Sequence, residues 1–61
     1  MRIYEARARR DGKFWFIDIP ELGLSTQARS VKEIDEMARD VIAITLDEPA
    51  HSFGVQVGID H

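Results

Sequence analysis

Cysteine is absent from these 61 residues, which removes disulfides and thiolate metal sites and leaves no mark of a redox compartment. Histidine is scarce: His51 and His61 are too few and too far apart to build a structural zinc site. No apolar run approaches the ~20 residues that a membrane-crossing helix needs, and the N-terminus carries no signal-peptide hydrophobic region. A cytoplasmic location is therefore expected. Glycine is sparse and scattered at Gly12, Gly23, Gly54 and Gly58. None of these directly precedes a helix pattern, so there is no phosphate-cradling loop.

What is present is ordinary for a globular chain, with 44% hydrophobic and 31% charged residues. The length allows one domain, residues 1–61. A chain this short buries only about 60% of the surface that its unfolded form exposes. Without disulfide or metal, self-association or docking onto a partner is the expected route to stability. The net charge of −3 is unevenly spread. Residues 1–13 hold Arg2, Arg7, Arg9, Arg10 and Lys13 against Glu5 and Asp11, a balance of +3; the rest carries −6. Such asymmetry points to a charged partner.

Residues 2–10 and Lys13–Ile19 are strand-like runs separated by Asp11-Gly12. Asp-Gly between extended segments is a strong signal for a type I′ hairpin. With Asp11-Gly12 as the two-residue loop, Arg9 faces Phe14, Ala8 faces Trp15, Arg7 faces Phe16, Ala6 faces Ile17 and Tyr4 faces Ile19. Opposed residues share a face. One face then holds Tyr4, Ala6, Ala8, Trp15, Ile17 and Ile19; the other holds Glu5, Arg7, Arg9, Phe14, Phe16 and Asp18.

Pro20-Glu-Leu-Gly23 reads as a turn, and residues 24–29 as a third strand with Leu24, Thr26 and Ala28 inward. Ser30-Val-Lys-Glu33 is a capping-box pattern that opens an amphipathic helix running to about Asp47, which Pro49 ends. Its apolar arc takes in Val31, Ile34, Met37, Ala38, Val41, Ile42, Ile44, Thr45 and Leu46. Residues 53–60 alternate strictly, with Phe53, Val55, Val57 and Ile59 on one side. The order β-β-β-α-β gives an α+β fold. A right-handed crossover lays the last strand parallel beside the first, making one four-stranded mixed sheet of order 3-2-1-4 with one helix on one face. The predicted helix-packed core is Tyr4, Ala6, Ala8, Trp15, Ile17, Ile19, Ile34, Ala38, Val41, Ile42, Val55 and Val57.

No catalytic, cofactor-binding or metal-binding residue is predicted, and no cofactor. A nucleophile needs an adjacent base, and Ser25, Ser30 and Ser52 read as strand, cap and loop residues. His51 reads as a surface-loop histidine, its role left open, and His61 as a disordered chain end. Glu33, Glu36, Asp40 and Asp47 read as a solvated helix face rather than a divalent-cation site. Gly54 and Gly58 allow either strand twist or close approach of another backbone.

The predicted interface is the uncovered sheet face, carried by Arg7, Arg9, Phe14 and Phe16. Arginines among aromatics fit a protein interface first, cation–π shielding second, and a single-stranded nucleic-acid platform last, because such platforms sit in basic domains. No direct nucleic-acid or membrane binding is expected.

The run from Asp11 to Asp40 resembles the N-terminal domain of HicB-type antitoxins. The resemblance rests on the aromatic strand Phe14–Ile19, the turn Pro20-Glu-Leu-Gly23, Thr26-Gln27, the short link Ala28–Ser30, and the helix from Val31 to Leu46, taken in that order and spacing. It covers the chain from about Tyr4 to Ile59. It implies a partial ribonuclease-H-like fold without that fold's catalytic carboxylates. It also implies sequestration of a small basic HicA-type messenger-RNA endonuclease, with the antitoxin forming a homodimer or higher oligomer. Family members commonly add a C-terminal DNA-binding segment, and none is expected within these residues. The alternative expectation is a toxin-independent dimerisation or regulatory module, orphan or phage-borne.

Overall fold

The computed structural model describes residues 1–60, so the expectation for His61 lies outside the described residues. The elements are β1 (Ile3–Asp11), β2 (Phe14–Ile19), a 3₁₀ turn (Pro20–Leu22), β3 (Leu24–Ala28), a second 3₁₀ turn (Val31–Glu33), α1 (Ile34–Leu46) and β4 (Gly54–Asp60). They form one four-stranded sheet in the order β3-β2-β1-β4. The β1–β2 and β2–β3 pairs are antiparallel, and β1–β4 is parallel. The helix packs against all four strands, so the α+β architecture and strand order follow the expectation.

The hairpin register does not. Asp11 faces Phe14, Arg10 faces Trp15, Arg9 faces Phe16, Ala8 faces Ile17 and Arg7 faces Asp18. The loop is Gly12-Lys13 rather than Asp11-Gly12, a shift of the whole ladder by two residues. The cause lies in the turn. A type I′ loop needs positive φ at both central residues, whereas Gly12 alone has it here, at 63°. Glycine at the first central position with an ordinary second residue is the type II′ pattern. The Arg10 Nε donates to Gly12 O at 3.0 Å and fastens the turn. Because side chains alternate with period two, an even shift preserves both faces; an odd shift would have exchanged them.

The 3₁₀ turn after β2 closes with Gly23 in the left-handed region at φ 64°, its N–H donating to Pro20 O at 3.2 Å. The start of the helix also differs from expectation. Ser30 makes no side-chain cap; residues 31–33 form a 3₁₀ turn, and the α-helix begins at Ile34. Glu33 Oε1 instead accepts the Arg29 N–H at 3.3 Å, one residue before the expected donor. The tighter 3₁₀ turn carries Glu33 past Ser30, so the reciprocal box cannot close. At the other end Asp47 adopts φ 55°, and the Asp47 and Glu48 amides both donate to Ala43 O. This left-handed stop ends the helix before Pro49 is reached.

Among the described residues ten are buried: Tyr4, Ala6, Ala8, Ile17, Ile19, Ala28, Ile34, Ala38, Ile42 and Phe53. Among the described residues no charged side chain is buried, and no buried side-chain polar atom lacks a partner. Trp15, Val41, Val55 and Val57, predicted in the core, are half-buried and pack at its margin. Val55 and Val57 sit on an edge strand with a neighbour on one side only. Val41 lies off the centre of the helix stripe defined by Ile34, Ala38 and Ile42. Trp15 has the Arg10 guanidinium 5.7 Å from its ring centre as a partial cover. Ala28 and Phe53 take their places. Phe53 meets Tyr4 edge-on at 5.8 Å, anchoring the entry to β4 onto β1. From the apolar arc, Val31 (53% exposed) and Ile44 (73%) face solvent.

Candidate interaction surface

The open face of the sheet follows from the strand pleat and the single helix. In β1 the even-numbered residues Tyr4, Ala6 and Ala8 turn toward α1, so Ile3, Glu5, Arg7, Arg9 and Asp11 turn away. The ladders align these residues in rows across the strands. One row is Gln27, Phe16, Arg9 and Asp60; the next is Ser25, Asp18, Arg7 and Gly58.

Within these rows the Arg9 guanidinium lies 5.0 Å from the Phe16 ring centre, a cation–π arrangement. Arg7 faces Asp18 directly and places its Nη2 3.9 Å from Asp60 Oδ2. Arg7, Arg9, Phe16, Asp18 and Asp60 line a shallow polar cleft. Both members of the Arg7–Asp60 pair are more than half exposed, so water screens the attraction.

The four residues predicted for this face therefore divide. Arg7, Arg9 and Phe16 come together in the cleft, with Phe16 half-buried under Arg9. Phe14 stands apart. Its cross-strand partner is Asp11 rather than an arginine, it is 42% exposed, and it borders a hollow with Gln27, Arg29, Glu33 and Met37 at the β3 edge. The expected pairs Arg9–Phe14 and Arg7–Phe16 are replaced by Arg9–Phe16 and Arg7–Asp18, the direct consequence of the two-residue register shift. Asp18 and Asp60 also line the cleft, beyond the four residues that the sequence predicts there. A type II′ reading of the Gly12-Lys13 turn would have placed Asp18 opposite Arg7. The face carries two arginines against Glu5, Asp11, Asp18 and Asp60, so its overall sign is acidic.

Elsewhere several polar groups have structural partners. Arg39 joins the helix to the connection before β4: its Nε donates to Asp35 Oδ2 at 3.0 Å, and its Nη1 donates to Ala50 O at 2.9 Å and Phe53 O at 3.0 Å. Arg2 pairs with Glu21 at 2.6 Å, and that hydrogen bond, with the charge behind it, raises the guanidinium above its ordinary pKa. Ser52 Oγ lies 2.7 Å from Pro49 O, inside its own turn, and the adjacent His51 is exposed. Among the described residues no three His, Asp or Glu side chains converge in a metal-ligating group. No helix among them is long and apolar enough to cross a membrane.

Fold and surface together define a small α+β domain with one covered and one open sheet face. No protein-family model, no curated protein and no solved structure matches the chain.

Proposed function

We propose that this domain is a HicB-like antitoxin of partial ribonuclease-H-like architecture, acting in the cytoplasm as a binding protein rather than an enzyme. Its target is a small basic HicA-type messenger-RNA endonuclease, which it sequesters by protein–protein contact. The observation that carries the reading is the open sheet face: exposed aromatic and guanidinium groups set among four carboxylates, with no helix over them. Phe14, Phe16 and the arginines supply the apolar and planar contacts that interfaces favour. The acidic surround draws in a basic partner and disfavours nucleic acid. A regulatory dimerisation module with no toxin is the second reading, favoured by the unprotected sheet edge at β4.

Message cleavage by a purified basic HicA-type endonuclease, titrated with this protein, tests the first reading. Wild-type protein is expected to suppress cleavage at stoichiometric amounts. Phe14→Glu with Phe16→Glu weakens that inhibition ten- to a hundredfold, about 1.4–2.7 kcal/mol, while the far-ultraviolet dichroism stays native. Cleavage that continues unchanged at excess wild-type protein sinks the antitoxin reading in favour of the second.

A further inference from the structure

The outer edge of β4 carries a pattern that is complementary to itself. The Gly54 N–H donates to Arg2 O at 2.7 Å, so the polar backbone groups of Gly54 point at β1. Backbone direction alternates along a strand, so Gln56, Gly58 and Asp60 also turn toward β1. Val55, Val57 and Ile59 then direct their N–H and C=O groups outward, where no described strand meets them. An edge of this length is normally blunted by lysine, proline or a bulge. β4 has no lysine or proline, and its one charge, Asp60, stands at its end.

We infer that β4 pairs antiparallel with β4 of a second copy of this chain, about a two-fold axis through Val57, joining two sheets into one continuous sheet. Val57 is the midpoint of the strand and one of the outward-directed residues. On the axis it exchanges its N–H and C=O with its own symmetry mate, the hydrogen-bonded type of antiparallel pair. Val55 meets Ile59 of the other copy in the same manner, and Ile59 meets its Val55. All three pairs are β-branched and lie on the helix side, extending the apolar layer through the junction. On the open side Gln56 meets Gly58 and Gly54 meets Asp60, so no like charges oppose one another. Every contact is reciprocal, as a two-fold interface requires.

The β3 edge fits a second copy less well. A two-fold axis at its midpoint, Thr26, opposes Leu24 to Ala28 and Ser25 to Gln27 over a five-residue strand. The hairpin closes with Asp11 opposite Phe14, so Phe14, Phe16 and Asp18 bond toward β1 while Trp15, Ile17 and Ile19 bond toward β3. Their partners Leu24, Thr26 and Ala28 are thus already engaged, so Thr26 forms a non-hydrogen-bonded pair at that axis. Only the two Ser25–Gln27 pairs beside it carry ladder bonds, against three bonded pairs at β4. The β4 junction keeps both open faces on one side of the joined sheet and leaves Arg7, Arg9, Phe14 and Phe16 uncovered. The inference rests on self-association within the readings above and adds its edge and register.

Two double variants test that register by sedimentation equilibrium. Gln56 and Gly58 are exposed, a Cβ at Gly58 meets nothing within 4 Å, and its φ is not in the left-handed region. Gln56→Lys with Gly58→Lys sets lysine opposite lysine twice across the axis. Gln56→Glu with Gly58→Lys sets glutamate opposite lysine twice. Wild-type protein is expected to sediment at twice its 7.0 kDa chain mass. The double-lysine variant dissociates at least tenfold more readily, and the glutamate–lysine variant regains the wild-type constant. Native dichroism in each variant separates dissociation from unfolding; if the double-lysine chain is unfolded, Val57→Pro, which removes the outward N–H at the axis, replaces it with the same expected loss. A monomeric wild type overturns self-association altogether. A wild-type dimer that the lysine pairs leave intact overturns this edge alone, without touching endonuclease inhibition.

Discussion

The two faces of the sheet are built from the same strands, yet they hold different chemistry. Toward the helix, Ala6, Ala8, Ile17 and Ile19 are completely buried. Away from it, Arg7 and Arg9 are exposed and Phe16 is only half-covered. The covered face combines Tyr4, Ala6 and Ala8 on β1 with Ile17 and Ile19 on β2, and the α1 stripe of Ile34, Ala38 and Ile42 joins them in one buried cluster. The open face carries long, charged and aromatic side chains, which shield one another but close no core. Stability therefore belongs to one side and the proposed recognition to the other, although consecutive residues alternate between them.

A substitution on the covered side should have the largest effect. Ile42 is fully buried on the helix stripe. Ile42→Ala removes apolar contact and leaves a cavity, costing ~2–5 kcal/mol. A core of this size rarely supplies more than about 3–5 kcal/mol in total, so urea denaturation should find the variant largely unfolded before denaturant is added. A wild-type midpoint would mean that the helix does not cover a structural core, and the contrast between the faces would fail.

This contrast was largely legible in the sequence, because period-two alternation survives any even error in register. The two-residue shift at Gly12 therefore left Tyr4, Ala6, Ala8, Ile17 and Ile19 inward, while it changed every cross-strand pair on the open face. Which aromatic lies under which arginine depends on the turn type, and Asp-Gly does not distinguish a loop at Asp11-Gly12 from one at Gly12-Lys13. The sequence spacing puts the helix start one turn early for a related reason. Ser30 and Glu33 have the spacing of a capping box, but the chain enters through a 3₁₀ turn that sends Glu33 to the Arg29 amide. The margins of the core were least legible. Val55 and Val57 have core character by composition, and only their place on the outer strand leaves them half-exposed.

Overpacking probes how tightly the covered face is set. Ala8 is fully buried, and its strand neighbour Arg9 is exposed. Ala8→Leu forces a larger side chain between β1 and the helix and should destabilise by ~1–3 kcal/mol, read as a lower thermal midpoint in circular dichroism. An unchanged midpoint would show that helix and sheet stand far enough apart to absorb the extra methyl groups, so that close packing is not what distinguishes this face.

Arg9, the next residue along the same strand, should have the smallest effect on stability. Its guanidinium lies 5.0 Å from the centre of the Phe16 ring, and an exposed cation–π contact contributes about 0.5–1 kcal/mol. Arg9→Ala should lower the thermal midpoint only slightly, and Arg9→Lys should recover part of that loss, since a cation remains above the ring without the planar stacking. Partner binding should respond in the opposite proportion. Removing Arg9 uncovers Phe16 yet deletes a planar donor from the cleft, so the proposed endonuclease inhibition should weaken more than folding does. Equal losses of stability and inhibition would mean that Arg9 only shields the ring, and the open face would then owe its recognition to Phe14 and the carboxylates alone.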